Sequence, residues 1–168
     1  CLLDLIKPES LNRCFANWVY SFMPEKSTDM TISLDGKTIC STIKMEKIES
    51  PLHIISAQVC ELGLTLAQRC TDDKSNEIPA VQALLKELNI KGHIVVADAI
   101  NCQKETAEII VNQKADYLLC LKDNHPNLKK DIEDFVQDIS LQNTMHSVFK
   151  IEQGHGRIEK RTAYITSD

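Results

Sequence analysis

A continuous apolar run that ends directly in an aspartate constrains the fold of this chain more than any other feature. The run is His93-Ile-Val-Val-Ala97, followed by Asp98, and a strand covered on both faces of a sheet has this pattern. A second run of the same kind, Tyr117-Leu-Leu-Cys-Leu121, follows a predicted short helix over residues 103–112. Two such strands with a helix between them predict a parallel pair in an α/β sheet.

Three strand candidates precede this pair and extend the predicted sheet. Residues 30–34 alternate between polar and apolar and lead into Asp35-Gly36-Lys37, which we interpret as a turn. Residues 53–60 and 64–70 are separated by a short turn that contains Gly63, as in a hairpin. Amphipathic periodicity predicts helices after the third, fourth and fifth strands. The order β-β-β-α-β-α-β-α is typical of a ribonuclease-H-like fold, a mixed sheet with helices on its faces.

The predicted organisation is an N-terminal helical segment, one core and the start of an insertion. Residues 1–29 carry a predicted helix over 8–22 that leads into the core. We expect the core over residues 30–142. Residues 143–168 are predicted to form a β-hairpin around a Gly-His-Gly turn, which we interpret as the start of a β-rich insertion. Because the first residue is Cys rather than Met, we expect the chain to be cut from something longer.

The charge balance limits how this chain can bind nucleic acid. With 19 basic and 24 acidic residues, the formal net charge is −5, whereas proteins that bind duplex DNA tightly by themselves usually carry a basic surplus. Any affinity for DNA must therefore come from a local patch, from bound cations or from a part of the protein outside this chain.

Cysteine usage and hydropathy address the cellular compartment. The seven cysteines include no CxxC pair, which predicts buried free thiols in a reducing cytoplasm rather than a disulfide framework or a zinc site. No stretch approaches the ~18 apolar residues of a membrane helix, so no membrane partner is expected.

Two aspartates follow apolar strands directly and are the first candidate site residues. Asp35 follows the first predicted strand and Asp98 the fourth, and these strands lie side by side in the predicted fold. Two neighbouring carboxylates repel each other unless a divalent cation lies between them, and hard oxygen ligands favour Mg²⁺ or Mn²⁺. Such ions activate water or a 3′-hydroxyl in phosphodiester chemistry. The alternative is that each aspartate caps a turn or a helix start.

Six ordered segments resemble the H-repeat-associated transposases, which belong to the DDE insertion-sequence transposases. The segments are Ser33-Leu-Asp-Gly-Lys-Thr38, Ser56-Ala-Gln with Glu61-Leu-Gly-Leu64, Asp73-Lys-Ser-Asn-Glu-Ile78, Val96-Ala-Asp-Ala99 with Cys102-Gln-Lys104, Ala115-Asp-Tyr-Leu-Leu-Cys-Leu-Lys122, and Gly154-His-Gly-Arg-Ile-Glu-Lys-Arg161. The resemblance implies a ribonuclease-H-like catalytic domain that cleaves and transfers DNA strands with Mg²⁺ (or Mn²⁺). Its partners would be transposon ends and target DNA, with a homodimer formed in the DNA complex.

The resemblance also implies a triad of carboxylates, of which Asp35 and Asp98 would be the first two, as catalytic and metal-binding residues. Glu159 is the candidate within this chain for the third, and Glu152 is a weaker one. In this family, however, we expect the final glutamate in a His-Trp-x-Ile-Glu-Asn segment after the insertion, and the single tryptophan here is Trp18. We therefore favour the interpretation that the chain ends before the helix that carries the third carboxylate.

Basic residues near predicted strand ends and on the hairpin are candidates for DNA contact. Lys37 and Lys122 follow strand ends at the predicted active edge, where each acts as a point charge for phosphate or as a solvated turn lysine. The remaining candidates form a short basic segment that is either a DNA-backbone contact or an ordinary exposed hairpin: His155, Arg157, Lys160 and Arg161.

Two further functions stay open alongside the transposase core. The first is a catalytically inactive transposase remnant that serves as a DNA-binding or dimerisation module. The second is a ribonuclease-H-like nuclease, since fold alone does not determine function.

Overall fold

The computed structural model describes residues 5–22, 29–39, 51–71, 77–138, 145–154 and 156–166. These residues form four helices and seven strands, which in chain order are α1 (Pro8–Tyr20), β1 (Thr31–Ile39), β2 (Leu52–Val59), β3 (Leu64–Thr71), α2 (Glu77–Glu87), β4 (Ile94–Ala97), α3 (Lys104–Asn112), β5 (Asp116–Leu119), α4 (Pro126–Gln137), β6 (His146–Gly154) and β7 (Arg157–Ile165). A single 3₁₀ turn, Ala99–Asn101, follows β4. The chain divides into two compact units, residues 1–121 and 122–168.

The first unit is built on a five-stranded mixed sheet in the order β3-β2-β1-β4-β5. β1, β2 and β3 pair antiparallel, and β4 runs parallel to both β1 and β5. The β2–β3 connection turns at Gly63, whose φ of 64° is a left-handed conformation that glycine adopts without steric cost. The predicted order of elements is confirmed, as is the adjacency of the first and fourth strands.

Alternation along β1 and β2 directs one set of side chains into the core. Ile32 and Leu34 of β1 are buried, as are Ile55, Ala57 and Val59 of β2. They join a continuous apolar cluster with the buried face of α2, whose apolar members are Ala80, Val81, Leu84 and Leu85. This packing places the first residue of α2 against the sheet, which matters for the site described below.

The Asp35-Gly36-Lys37 segment was expected to turn, and that prediction is wrong. β1 continues through it to Ile39, because every residue from Asp35 onward pairs with β2, ending with Ile39 opposite Leu52. The turn preference of an Asp-Gly pair is a local effect, and an uninterrupted ladder with a long neighbouring strand outweighs it.

Two burial predictions are also wrong. β5 is an edge strand that pairs with β4 alone among the described residues, so Tyr117 is 47% exposed and Leu118 is 64% exposed. None of the described cysteines forms a disulfide with another described cysteine, and their predicted burial is wrong, because four are exposed and Cys102 is half-buried. Cys60 and Cys120 lie just beyond strand ends, where the chain leaves the packed layers. Cys1 and Cys40 lie outside the described residues.

The second unit contains α4 and an antiparallel hairpin of β6 and β7. Pro126 begins α4, a position where its missing N–H is not required. The hairpin pairs His146 with Ile165 at one end and Gly154 with Arg157 at the other, so the two predicted strands are confirmed. His155 lies outside the described residues. The domain boundaries at 29/30 and 142/143 stay predictions.

Within the described part of the chain, none of the helices combines the length and the apolar character needed to cross a membrane.

Candidate functional site

Asp35 and Asp98 follow paired residues of two neighbouring strands. In the parallel pair of β1 and β4, Leu34 is opposite Ala97, and each aspartate is the next residue along the chain. Leu34 and Ala97 are buried while both aspartates are exposed. Asp35 lies within β1, and Asp98 follows the last residue of β4. Neighbouring strands are about 4.8 Å apart, which is within the span that one cation can bridge.

Among the described residues, neither aspartate makes a capping hydrogen bond with its side chain. Asp98 precedes the 3₁₀ turn but makes no capping bond with its side chain, and its Oδ1 instead accepts a hydrogen bond of 3.2 Å from Asn101 Nδ2. Asp35 lies inside β1 opposite Ser56, and among the described residues its carboxylate has no hydrogen bond or ion pair. Two exposed carboxylates that are not engaged as caps form a donor set of the kind that Mg²⁺ prefers.

A buried polar pair that the sequence did not reveal lies at the core side of β1. His53 Nε2 is 3.0 Å from Glu77 Oε2, and the two side chains are 2% and 6% exposed. The other ring nitrogen of His53 is 2.9 Å from Thr38 Oγ1, its neighbour across the strand pair. The signals in the sequence were a histidine at the start of an apolar strand and a glutamate within the Asp73–Ile78 segment.

Asn101 connects this buried pair to Asp98. Its Nδ2 donates to Glu77 Oε1 at 3.2 Å and to Asp98 Oδ1 at 3.2 Å. A continuous series of hydrogen bonds therefore runs from Thr38 and His53 through Glu77 and Asn101 to one of the two candidate ligands.

Gly36 lies against the buried pair, and Gly36→Ala is expected to destabilise the protein by about 2 kcal/mol, the usual cost of overpacking a core. A Cβ at this position would stand 2.9 Å from both Glu77 Oε2 and His53 Nε2, and both side chains are held in place by their mutual bond. Urea unfolding measures the change. Lys37→Ala, an exposed position on the opposite side of β1, is the control and should change stability by less than about 0.5 kcal/mol. Equal stability of the two variants would contradict the close fit.

The predicted DNA-contact residues are distributed over both units of the chain. Lys37 lies two residues beyond Asp35 in a regular strand, so it shares the face of Asp35. Lys122 is exposed in the second unit. On the hairpin, the register puts Arg157 and Arg161 on one face and Lys160 on the other, where the Lys160 ammonium is 5.8 Å from the centre of the Phe149 ring.

The hairpin glutamates are engaged with an arginine. Glu152 and Glu159 are directly opposite each other, and Arg161 contacts both of them, at 3.4 Å and 2.7 Å. Like charges placed opposite each other repel, and Arg161 offsets that repulsion.

Within the described residues, no three His, Cys, Asp or Glu side chains are grouped so as to hold a metal ion. The assignment of Glu159 as a third ligand stays a prediction.

Residues 53–167 match the family described as "Transposase DDE domain". The match covers more than half of the chain, so the chain belongs to the DDE transposase domain family. Asp98 and Glu159 lie inside the matched range, and Asp35 precedes it.

Curated relatives of this chain include H repeat-associated transposases, which confirms the resemblance found in the sequence. The chain is 37% identical to "H repeat-associated putative transposase YhhI" of Escherichia coli (strain K12), over 95% of this chain and 42% of that protein. It is 36% identical to "H repeat-associated putative transposase YbfD" of the same strain, over 95% of this chain and 63% of that protein. The chain thus spans from about two fifths to just under two thirds of the length of these relatives.

Among solved structures, a piggyBac transposase synaptic complex with hairpin DNA resembles the chain with a TM-score of 0.46 and 11% identity. That likeness covers 75% of this chain and 29% of the other.

Proposed function

We propose that this chain is the ribonuclease-H-like core of a DDE transposase and that Asp35 and Asp98 together hold a divalent cation, Mg²⁺ or Mn²⁺. The observation that supports the proposal is the register of β1 and β4, in which Leu34 is opposite Ala97 and an exposed aspartate comes directly after each of them. A bound cation offsets the repulsion between the carboxylates and, in DNA strand cleavage and transfer, supplies Lewis-acid stabilisation of phosphate oxygens.

Lys37 is the residue of this chain that we propose to contact DNA phosphate beside the cation. It is exposed and lies on the same face of β1 as Asp35. A lysine binds phosphate as a point charge and reads no base sequence. With a net charge of −5, this chain depends on the cation and on such local charges for its attraction to DNA.

The third carboxylate is proposed to lie beyond residue 168. Glu159 is a weak candidate because its Oε2 is 2.7 Å from Arg161 NH2, and the positive charge of that arginine repels a cation at the same carboxylate. The larger size of the relatives, of which this chain spans 42–63%, is consistent with a residue supplied from outside it.

The proposal predicts a reversal in the order of DNA affinities when Mg²⁺ is added. Without a divalent cation, Asp35→Asn and Asp98→Asn should bind duplex DNA more tightly than wild type, since each removes one negative charge that repels phosphate. With Mg²⁺, wild type should bind more tightly than either variant, because only its paired carboxylates hold the cation. Each difference is expected to be about fivefold, corresponding to roughly 1 kcal/mol for one charge in a solvated setting.

Fluorescence anisotropy of a labelled duplex at constant ionic strength measures these affinities. Glu105→Gln is the control for a general loss of negative charge, since Glu105 is an exposed acidic residue in the first turn of α3. Addition of Mg²⁺ should not reverse the order of the DNA affinities of this variant and wild type. If Mg²⁺ shifts all the proteins equally, the cation site does not exist. That outcome, an order of affinities that does not change with Mg²⁺, would support the second candidate function.

That second candidate is a catalytically inactive transposase remnant that binds DNA or dimerises. The observation in its favour is that no third acidic ligand joins the two aspartates within the described residues.

A further inference from the structure

Asn101 lies between two carboxylates and gives each of them one hydrogen bond. Its side chain is 2% exposed, and its Nδ2 stands 3.2 Å from Glu77 Oε1 and 3.2 Å from Asp98 Oδ1. A primary amide nitrogen carries two N–H donors, so the two bonds use its full donating capacity.

The orientation of this amide is determined by its neighbours. If the amide were flipped, Oδ1 would face two carboxylate oxygens, and three acceptors would meet without a proton between them. In the observed orientation, Oδ1 is buried and has no hydrogen-bond partner among the described residues. An unsatisfied buried acceptor costs on the order of 1–3 kcal/mol, so this orientation is explained by the two bonds to the carboxylates.

Glu77 holds Asn101 in place from the core side, and both of its carboxylate oxygens are engaged in hydrogen bonds. Its Oε2 is bonded to His53, and its Oε1 accepts from Asn101. Gly36 closes over the His53–Glu77 pair, since even a methyl group there would come within 2.9 Å of both. Asn101 therefore links the buried carboxylate of Glu77 to that of Asp98.

We propose that Asn101 is a positioning residue for the cation site and that the His53–Glu77 pair supports it. By binding Oδ1 of Asp98, Asn101 fixes the plane of that carboxylate and leaves the other oxygen for the cation that Asp98 shares with Asp35. Hydrogen-bonded partners of metal ligands commonly act in this way. The inference rests on the proposed function, because it presupposes the cation.

The test is Mn²⁺ affinity, measured by water-proton relaxation in Asn101→Leu. Leucine has a similar volume and donates no hydrogen bond, so the Asp98 carboxylate is freed without leaving a large cavity. We expect Mn²⁺ binding to weaken about tenfold, the lower end of what loss of such a partner costs. Gln103→Ala is the matched control: Gln103 Nε2 donates to Ile100 O in the same turn at 3.2 Å and does not touch Asp98. It should leave Mn²⁺ affinity within about twofold of wild type.

Failure of the inference is distinguishable from failure of the proposed function. If wild type binds Mn²⁺, Asp98→Asn does not, and Asn101→Leu binds as wild type does, then the positioning role is overturned and the cation site stands. If wild type binds no Mn²⁺, or Asp98→Asn binds it equally well, then the proposed function fails and the inference fails with it.

A measurement on wild type decides the question even where Asn101→Leu does not fold. Titration with diamagnetic Mg²⁺ should shift the side-chain NH₂ resonances of Asn101 in ¹⁵N spectra, since one of those protons is bonded to a proposed ligand. The NH₂ group of Gln113, which donates to Leu85 O at 2.7 Å away from the aspartates, should not move. An Asn101 amide that is unaffected while backbone resonances at Asp35 and Asp98 shift would overturn the role.

Discussion

Wild-type protein should bind Mn²⁺, and Asp35→Asn and Asp98→Asn should each weaken that binding at least a hundredfold. Each substitution removes a full negative charge and keeps the shape of the side chain. Loss of a hydrogen-bonded partner of a metal ligand already weakens metal binding by about 10- to 100-fold, so the loss of a charged ligand itself is expected to cost at least the upper end of that range. Because both aspartates follow one register pair, the two variants should fail alike.

Water-proton relaxation measures the binding directly, with Glu159→Gln as the informative comparison. If the third ligand lies beyond residue 168, Glu159→Gln should bind Mn²⁺ as wild type does. A loss as large as that of Asp98→Asn would contradict this and assign Glu159 to the site. Retention of Mn²⁺ binding by both aspartate variants would refute a shared cation site, and the two carboxylates would then be unrelated surface groups.

The sequence predicted the aspartate pair because its signals are local and periodic. An apolar run ending in Asp98 predicts a strand, the helix after it forces a parallel connection, and the order of elements then places the first strand next to the fourth. Each step depends on which residues are apolar and on how they are spaced. The continuation of β1 through Asp35 and Gly36 was missed, because the ladder that extends it depends on how far β2 runs beside it.

The His53–Glu77–Asn101 network could not be found in the same way. His53 and Glu77 are 24 positions apart along the chain, as are Glu77 and Asn101. Neither the 3.6-residue period of a helix nor the two-residue period of a strand relates residues in different elements. They meet because α2 packs its apolar face on the sheet and brings its first residue, Glu77, under Gly36. The sequence contained a hint in the glycine beside Asp35, since a close approach of neighbouring side chains is one reason for a residue without Cβ.

The hairpin shows the same limit for charged residues. The sequence places Arg157, Lys160 and Arg161 within five positions, which suggested a basic cluster. Because side chains alternate along a strand, Lys160 lies on the face opposite the two arginines. In this register, Arg161 contacts Glu152 and Glu159. A run of like charges in a strand is therefore divided between two surfaces, and its partners are decided by a register that composition does not reveal.

His53→Leu should lower the free energy of unfolding by about 3 kcal/mol, because it leaves the buried carboxylate of Glu77 without one of its two partners. Leucine fills much of the imidazole volume, so the decrease in the free energy of unfolding comes mainly from the missing hydrogen bond to Glu77 and not from a cavity. Arg69→Leu provides the contrast. Arg69 and Glu87 are as close, at 2.7 Å, but they are 41% and 59% exposed, and solvent-exposed ion pairs contribute only about 0–1 kcal/mol.

Urea unfolding followed by the fluorescence of the single tryptophan, Trp18, measures both variants, since Trp18 lies in the same unit as His53. The double variant His53→Leu/Glu77→Gln tests the cause. Glutamine removes the charge that His53→Leu leaves unpaired, so the double variant should recover at least about 1 kcal/mol relative to His53→Leu alone. A double variant less stable than His53→Leu would mean that Glu77 stabilises the fold through Asn101 rather than through His53. The hydrogen bond between Glu77 and Asn101 would then be the stabilising contact of this network.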